Sequence, residues 1–241
     1  MKKIILFSSF LFAIVFCNAQ KTIRLKAFKH VRTNVAEPSD IGYTSDFSHF
    51  YIVSDQGYLY ETDTAGKILK TATVTGIDFE ALFIKDNFIY VADERSRVVH
   101  VYTLDSLKHV KEFSVPYSGG ANDCYEGIAY NEKKKCFILL IEKNPSYLFE
   151  LDDNFVKTKE IPLNIATDIS SACYHKGFLY LLSDIDGLVL KLDPSDYSVL
   201  QKWSIPVTNP EGITFDKAGN LVIVSDKDQT IYKFPFNDSE K

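Results

Sequence analysis

The chain has 241 residues, 46% of them hydrophobic and 14% aromatic, with 27 basic against 32 acidic side chains and four cysteines. That is enough apolar material for one sizeable core. The acidic balance argues against nucleic acid or an anionic membrane as partner, and the cysteines, without a Cys-x-x-Cys spacing, suggest neither a disulfide scaffold nor a zinc site.

At the N-terminus Lys2 and Lys3 precede an apolar stretch over residues 4–16 and then Cys17-Asn18-Ala19. This is the order of a secretory signal peptide. Residues 1–19 are read as that leader, cleaved after Ala19, and residues 20–241 as a single domain with 25 basic and 32 acidic residues, a formal charge of −7. The apolar stretch is short for a transmembrane helix, so an exported protein, periplasmic or extracellular and without a transmembrane segment, is expected. Lipid anchoring at Cys17 is a minor alternative, because Phe16 stands where bacterial lipidation favours a small residue.

From there the chain repeats. The triplets Ser39-Asp40-Ile41, Glu80-Ala81-Leu82, Glu126-Gly127-Ile128, Ser170-Ser171-Ala172 and Glu211-Gly212-Ile213 end 41, 46, 44 and 41 residues apart. A period near forty fits a propeller blade or a helical pair. The content of each unit is strand: residues 50–53, 88–91, 137–141, 178–182 and 221–224 are short apolar runs, rich in β-branched and aromatic types and bounded by turn residues. A third strand follows, and in four of the five units it ends in Asp (Asp63, Asp105, Asp152, Asp193), which reads as a turn former. The fourth segment, over residues 67–74, 108–115 and 156–163, carries polar residues, lysines and prolines suited to an outer edge.

The last unit stops after Phe236 without a fourth strand, while residues 22–27 are left over at the other end. Pairing the two ends would close a ring. The expected fold is all-β, a five-bladed β-propeller of four-stranded antiparallel blades, closed by an N-terminal strand joining the C-terminal blade.

Consecutive strands in a blade run antiparallel, so first-strand starts and second-strand ends share one face of the ring. The first group is Glu37, Asp78, Glu80, Glu126, Asp168 and Glu211; the second is Asp55, Asp93 with Glu94, Glu142, Asp184 and Asp226. First strands line the channel, so the first group should converge on its axis. Converging carboxylates repel one another unless a hard cation such as calcium intervenes, and Asn209 can add a neutral amide oxygen. Ser39 and Ser170 replace glutamate in two units, making any such site asymmetric. The competing reading is capping: pairs such as Ser54-Asp55, Ser183-Asp184 and Ser225-Asp226 suit strand-to-turn junctions. The outer group is read as architecture, and the inner group is left open between ion or ligand binding and capping.

Gly127 and Gly212 are expected to let neighbouring blades approach closely. Gly119-Gly120 lies in the connection over residues 116–124, a plain flexible loop or a lid on the acidic face. Cys124 and Cys136 fall at opposite ends of a hairpin, too far apart to bridge, and free thiols are expected there and at Cys173. His30, His49, His100, His109 and His175 are scattered without metal-ligand spacing, so a histidine-metal or nucleophile-histidine site is not expected. Trp203, in an outer strand, reads as packing.

The ordered motifs Glu37-Pro38-Ser39, Asp78-Phe79-Glu80, Tyr125-Glu126-Gly127-Ile128-Ala129-Tyr130, Asp168-Ile169-Ser170 and Pro210-Glu211-Gly212-Ile213, with a downstream Ser-Asp or Asp-Glu, resemble the SdiA-regulated family over residues 36–236. That family is similar to NHL-repeat proteins. The resemblance implies an exported five-bladed propeller holding calcium, with Asp78, Glu80, Glu126, Asp168 and Glu211 at the matching positions. Cys124 departs from an all-oxygen ring.

Two functional readings follow. One is a calcium-binding module, a monomer, that holds a protein, peptide or envelope component across its acidic face. The other is a metal-dependent hydrolase of lactone or phosphoester type, in which Glu37, Asp168 and Asn209 would surround the ion and Arg95, Lys143 or Lys227 would meet substrate charge.

Overall fold

A strand whose side chains alternate between two neighbours must be apolar on both faces, and the second strand of each unit is packed in that way. The computed structural model describes residues 22–117, 125–141 and 145–238. The proposed leader with Cys17, and also Gly119, Gly120, Cys124, Glu142 and Lys143, lie outside these residues.

Every regular element among the described residues is a strand. After β1 (Ile23–Arg24) and β2 (Lys29–Arg32), blade 1 comprises β3 (Pro38–Tyr43), β4 (His49–Ser54), β5 (Tyr58–Asp63) and β6 (Ile68–Thr71). Blade 2 comprises β7 (Phe79–Lys85), β8 (Phe88–Asp93), β9 (Val98–Thr103) and β10 (His109–Ser114). Blade 3 follows with β11 (Tyr125–Asn131), β12 (Cys136–Ile141), β13 (Ser146–Leu151) and β14 (Lys157–Leu163). Blade 4 has β15 (Ser171–His175), β16 (Phe178–Ser183), β17 (Leu188–Leu192) and β18 (Val199–Ser204), and blade 5 has β19 (Pro210–Phe215), β20 (Leu221–Ser225) and β21 (Thr230–Phe234). The blades are antiparallel sheets arranged as a five-bladed propeller.

The core is divided into five wedges, one between each pair of adjacent blades. In β12, Phe137, Leu139 and Ile141 pack towards blade 2, whereas Ile138 and Leu140 pack towards blade 4. In β4, Phe50 and Ile52 face blade 5 while Tyr51 and Val53 face blade 2. Each such side chain removed from water contributes about 1.5–3 kcal/mol, and the last wedge, between blades 5 and 1, closes the ring through Ile41, Phe50, Val222 and Val224. Trp203 is 1% exposed against Phe236 and Tyr180, as its reading as packing requires.

The ends meet differently from the sequence expectation. It is β2, not residues 22–27, that pairs antiparallel with β21, with Val31 opposite Ile231. Residues 22–27 instead place β1 parallel to β18, Ile23 opposite Trp203, as a fifth strand of blade 4. The physical reason is side-chain pattern. Ile23, Leu25 and Ala27 alternate and pack onto the Trp203 wedge, whereas Lys29–Arg32 is largely exposed, as an outer strand should be.

The turn aspartates behave as read: Asp63 Oδ1 accepts hydrogen bonds from the amides of Ala65 and Lys67, and Asp152 Oδ1 from those of Asn154 and Val156. Close approach at Gly212 is also real, since a Cβ there would lie 2.7 Å from Asp40 Cα in the next blade. Cys136 and Cys173 carry free thiols.

Candidate functional site

Four of the five first strands begin with the same irregularity. Pairing slips by one residue between Pro38 and Asp40, Phe79 and Ala81, Tyr125 and Gly127, and Pro210 and Gly212. The residue left over in each is Ser39, Glu80, Glu126 or Glu211. A β-bulge leaves one residue unpaired and re-aims its side chain, so the repeated glutamates of the sequence are bulge residues. In blade 4 the equivalent Ser170 donates from its amide to the Leu182 carbonyl and from its hydroxyl to the Pro210 carbonyl, both at 2.9 Å.

These residues meet at the mouth of the channel. Asp55, Glu80 and Glu126 border two adjoining cavities of about 440 and 270 Å3. Glu37, Asp78, Glu94 and Arg95 complete the first; Asp168, Asp184 and Glu211 are on the wall of the second. Within the first, Asp78, Glu80 and Glu94 each present an oxygen within 4.8 Å of the other two, and Asp78 and Glu94 are buried. Arg95 Nε lies 2.6 Å from Asp78 Oδ2 at the rim.

Negative charge here is poorly compensated. Burial, then the carboxylates of Asp55, Asp78 and Glu94, pushes the Glu80 carboxyl up to about 10. Burial, with Asp184 and Asp55 next, raises Glu211 to about 8, and burial is also the leading cause of the upward shifts at Asp55, Asp184 and Asp226. A donor set of clustered carboxylate oxygens fits a hard divalent cation, which would restore the ionised forms. Asp78, Glu80 and Glu94 are the residues that would hold it.

The other expected residues take separate places. Glu37 has a left-handed backbone (φ 47°), accepts a hydrogen bond from Gln56 Nε2 at 2.8 Å and lends its carbonyl to the Asp55 amide. Asn209 is its equivalent in blade 5 (φ 44°), with its carbonyl accepting from the Asp226 amide. Asp168 is a turn cap: its carboxylate takes the Ser183 hydroxyl at 2.5 Å and the amides of Asp184 and Ile185 at 3.0 and 3.1 Å. The outer group divides. Asp93 is architectural: burial is opposed by the nearby His100 ring, 3.5 Å away, and by hydrogen bonds from the Ile77 and Ser96 amides, and its carboxyl is held below the usual range. Asp55, Asp184 and Glu94 instead belong to the mouth, which their assignment to strand capping did not foresee.

Below the glutamates lies a residue to which the sequence reading gave no role. Asp40 occupies the triplet position filled in the other blades by Ala81, Gly127, Ser171 and Gly212. One acidic side chain thus stands in a column with four small ones. Its carboxylate accepts from the Ile41 and Leu82 amides at 2.8 Å and from the Ser171 hydroxyl at 3.0 Å, linking three blades. Burial outweighs these bonds and raises its carboxyl to about 7.

The histidines also differ from expectation. His100 in β9 and His109 in β10 are brought together, with Nδ1 of the first 3.2 Å from Nε2 of the second. Nine residues of separation hid a contact made across two strands.

Fold and mouth together define a five-bladed β-propeller with a carboxylate-lined channel entrance able to hold a metal ion. The chain belongs to the SdiA-regulated family, which it matches over residues 12–235. Among solved structures it is similar to Myxococcus xanthus glutaminyl cyclase, with a TM-score of 0.72 and 15% identity over 89% of this chain and 98% of that one. It is also similar to a selenomethionine-substituted virginiamycin B lyase from Staphylococcus aureus (TM-score 0.53, 14% identity, 87% of this chain and 72% of that one). A streptogramin B lyase gives a TM-score of 0.57 at 12% identity over 87% and 97% of the two chains. At such identities the likeness is one of fold alone.

Proposed function

We propose that this protein is an exported calcium-binding propeller whose acidic channel mouth holds a protein, peptide or envelope component. The observation that carries the reading is the cluster of Asp78, Glu80 and Glu94, three carboxylates within 4.8 Å of one another at an open cavity. Calcium takes six to eight oxygen ligands and tolerates irregular geometry, which suits a site built on bulges and loop ends. Magnesium would demand a more regular octahedron. The signal-peptide pattern in the sequence of residues 1–19 supports export, and the excess of acid around the mouth supports a partner that is cationic or that reaches the protein through the ion.

The second reading is a metal-dependent hydrolase. Arg95 supports it, since a guanidinium beside the carboxylate cluster could meet an anionic ester. Two observations favour the binder instead. Asp168, one of the three residues suggested for a lactonase-like set, is committed to three hydrogen bonds at its turn. Glu37 is likewise engaged by Gln56.

The test is thermal unfolding in chelator and in calcium, followed by a panel of lactones and phosphoesters with the metal-loaded protein. Stabilisation by calcium without turnover is the expected outcome. Turnover lost on Glu80→Gln would establish the hydrolase, and a melting temperature indifferent to calcium would remove the ion from the account.

A further inference from the structure

The outer rim of blade 2 carries a second group of metal-ligand atoms, remote in chemistry from the carboxylate mouth. His100, His109 and Glu112 each offer one ligand atom, and the three atoms lie within 4.8 Å of one another. We propose that these residues bind a divalent transition-metal ion of the zinc class, through His100 Nδ1, His109 Nε2 and the Glu112 carboxylate.

The backbone shows how the group is built. In the ladder between β9 and β10, His100 stands opposite Glu112 and Tyr102 opposite His109. His109 and Glu112 are three residues apart, which in a regular strand would put them on opposite faces. The register shift between His109 and Lys111 inserts one residue and returns both to the face of His100. A bulge that turns two potential ligands towards a third parallels the bulges at the channel mouth.

The donor chemistry selects the ion. Two imidazole nitrogens and one carboxylate suit zinc, and also copper or nickel, whereas calcium takes oxygen donors. His100 Nδ1 lies at hydrogen-bond distance, 3.2 Å, from His109 Nε2 and 3.6 Å from Glu112 Oε2, so three ligand atoms lie within reach of one ion. The far side of the buried ring faces a carboxylate. His100 Nε2 makes no standard hydrogen bond and has Asp93 Oδ2 at 3.5 Å, while Asp93 is itself fixed by the Ile77 and Ser96 amides. A ligating histidine that offers its other nitrogen to a carboxylate is the usual outer arrangement of a zinc site.

Aromatic packing holds the rings in place. Phe79 lies 5.5 Å from His100 and Tyr102 lies 5.3 Å from His109, centroid to centroid. Entry is open on the Glu112 side, where that side chain is 58% exposed. Three protein ligands leave a fourth position for water or for a donor from a partner.

Cobalt(II) titration in saturating calcium, read by visible absorption, tests the site, with zinc titrated calorimetrically beside it. One ion per chain is expected, with d–d bands of four-coordinate cobalt in the wild type. His109→Ala, a change in an outer strand, should abolish the bands and weaken zinc by at least about tenfold. Glu112→Gln should weaken it less. Glu80→Gln, at the channel mouth, should leave zinc unchanged, which separates this site from the proposed calcium site. Zinc affinity that is the same in His109→Ala as in the wild type, or that is lost in Glu80→Gln, would overturn the assignment.

Discussion

Asp40 Oδ2 accepts the Leu82 amide at 2.8 Å across the boundary between blades 1 and 2, while Oδ1 takes the Ser171 hydroxyl from blade 4. The same carboxylate also holds its neighbour's amide, Ile41. A single buried side chain thus ties together blades that the hydrophobic wedges join only pairwise, and it lies directly beneath the acidic mouth.

Asp40→Ala would leave buried donors on Ile41, Leu82 and Ser171 without their acceptor. Each orphaned donor costs about 1–3 kcal/mol, partly offset by removing a buried carboxyl. Urea unfolding should show a loss on the order of 2–4 kcal/mol. A change near zero would mean that water replaces the carboxylate and that it is no keystone.

The calcium-free protein should lose stability as pH rises. The carboxyls of Asp40, Glu211 and Glu80 are raised to about 7, 8 and 10, so the folded chain binds more protons than the unfolded one. Their contribution is fully present below the unfolded values near 4 and is lost progressively as pH climbs towards the folded ones. Melting temperatures in chelator at pH 5, 6, 7 and 8 check this; a rise over about that interval would contradict the sign of the shifts.

Glu80→Gln should stabilise the calcium-free protein near neutral pH. The amide keeps much of the side chain's shape and removes a half-buried acid crowded by Asp55, Asp78 and Glu94. An increase in melting temperature of about 2–4 °C in chelator is expected. Functional sites commonly carry such a stability cost.

Gly212→Ala tests the close approach of blades 5 and 1. The new methyl would lie 2.7 Å from Asp40 Cα and 2.8 Å from the Ile41 nitrogen, both backbone, so neither can swing aside. Overpacking of this kind costs about 1–3 kcal/mol, measurable by urea unfolding, whereas Gly177→Ala meets nothing within 4 Å and reports only the strain of its φ of +85°.

The blades were legible in the sequence because their second strands are apolar on both faces and recur every forty or so residues. The triplets located the bulge glutamates Glu80, Glu126 and Glu211 although nothing in the residues announced a bulge. Closure was harder to read. Residues 22–27, of which Ile23–Arg24 form β1, and Lys29–Arg32 are both short strand-like segments, and only the three-dimensional wedge around Trp203 decides that the more apolar one lies beside β18. Roles at the mouth were mixed because capping and ion binding use the same residue types, so Asp168 and Asp55 differ only in which donors surround them. Asp40 left a usable trace, an acid in a column of small residues. His100 and His109 left none, since they meet across two strands, and Glu112 joins them only through a register shift.

Calorimetric titration of calcium into chelator-treated protein beginning at Gln20, with Glu80→Gln run beside it, tests the central claim most directly. The account predicts one calcium per chain in the wild type and an affinity lower by at least about tenfold in the variant. Absence of binding in the wild type, or equal affinity in the two proteins, would contradict it and return the mouth carboxylates to an architectural role.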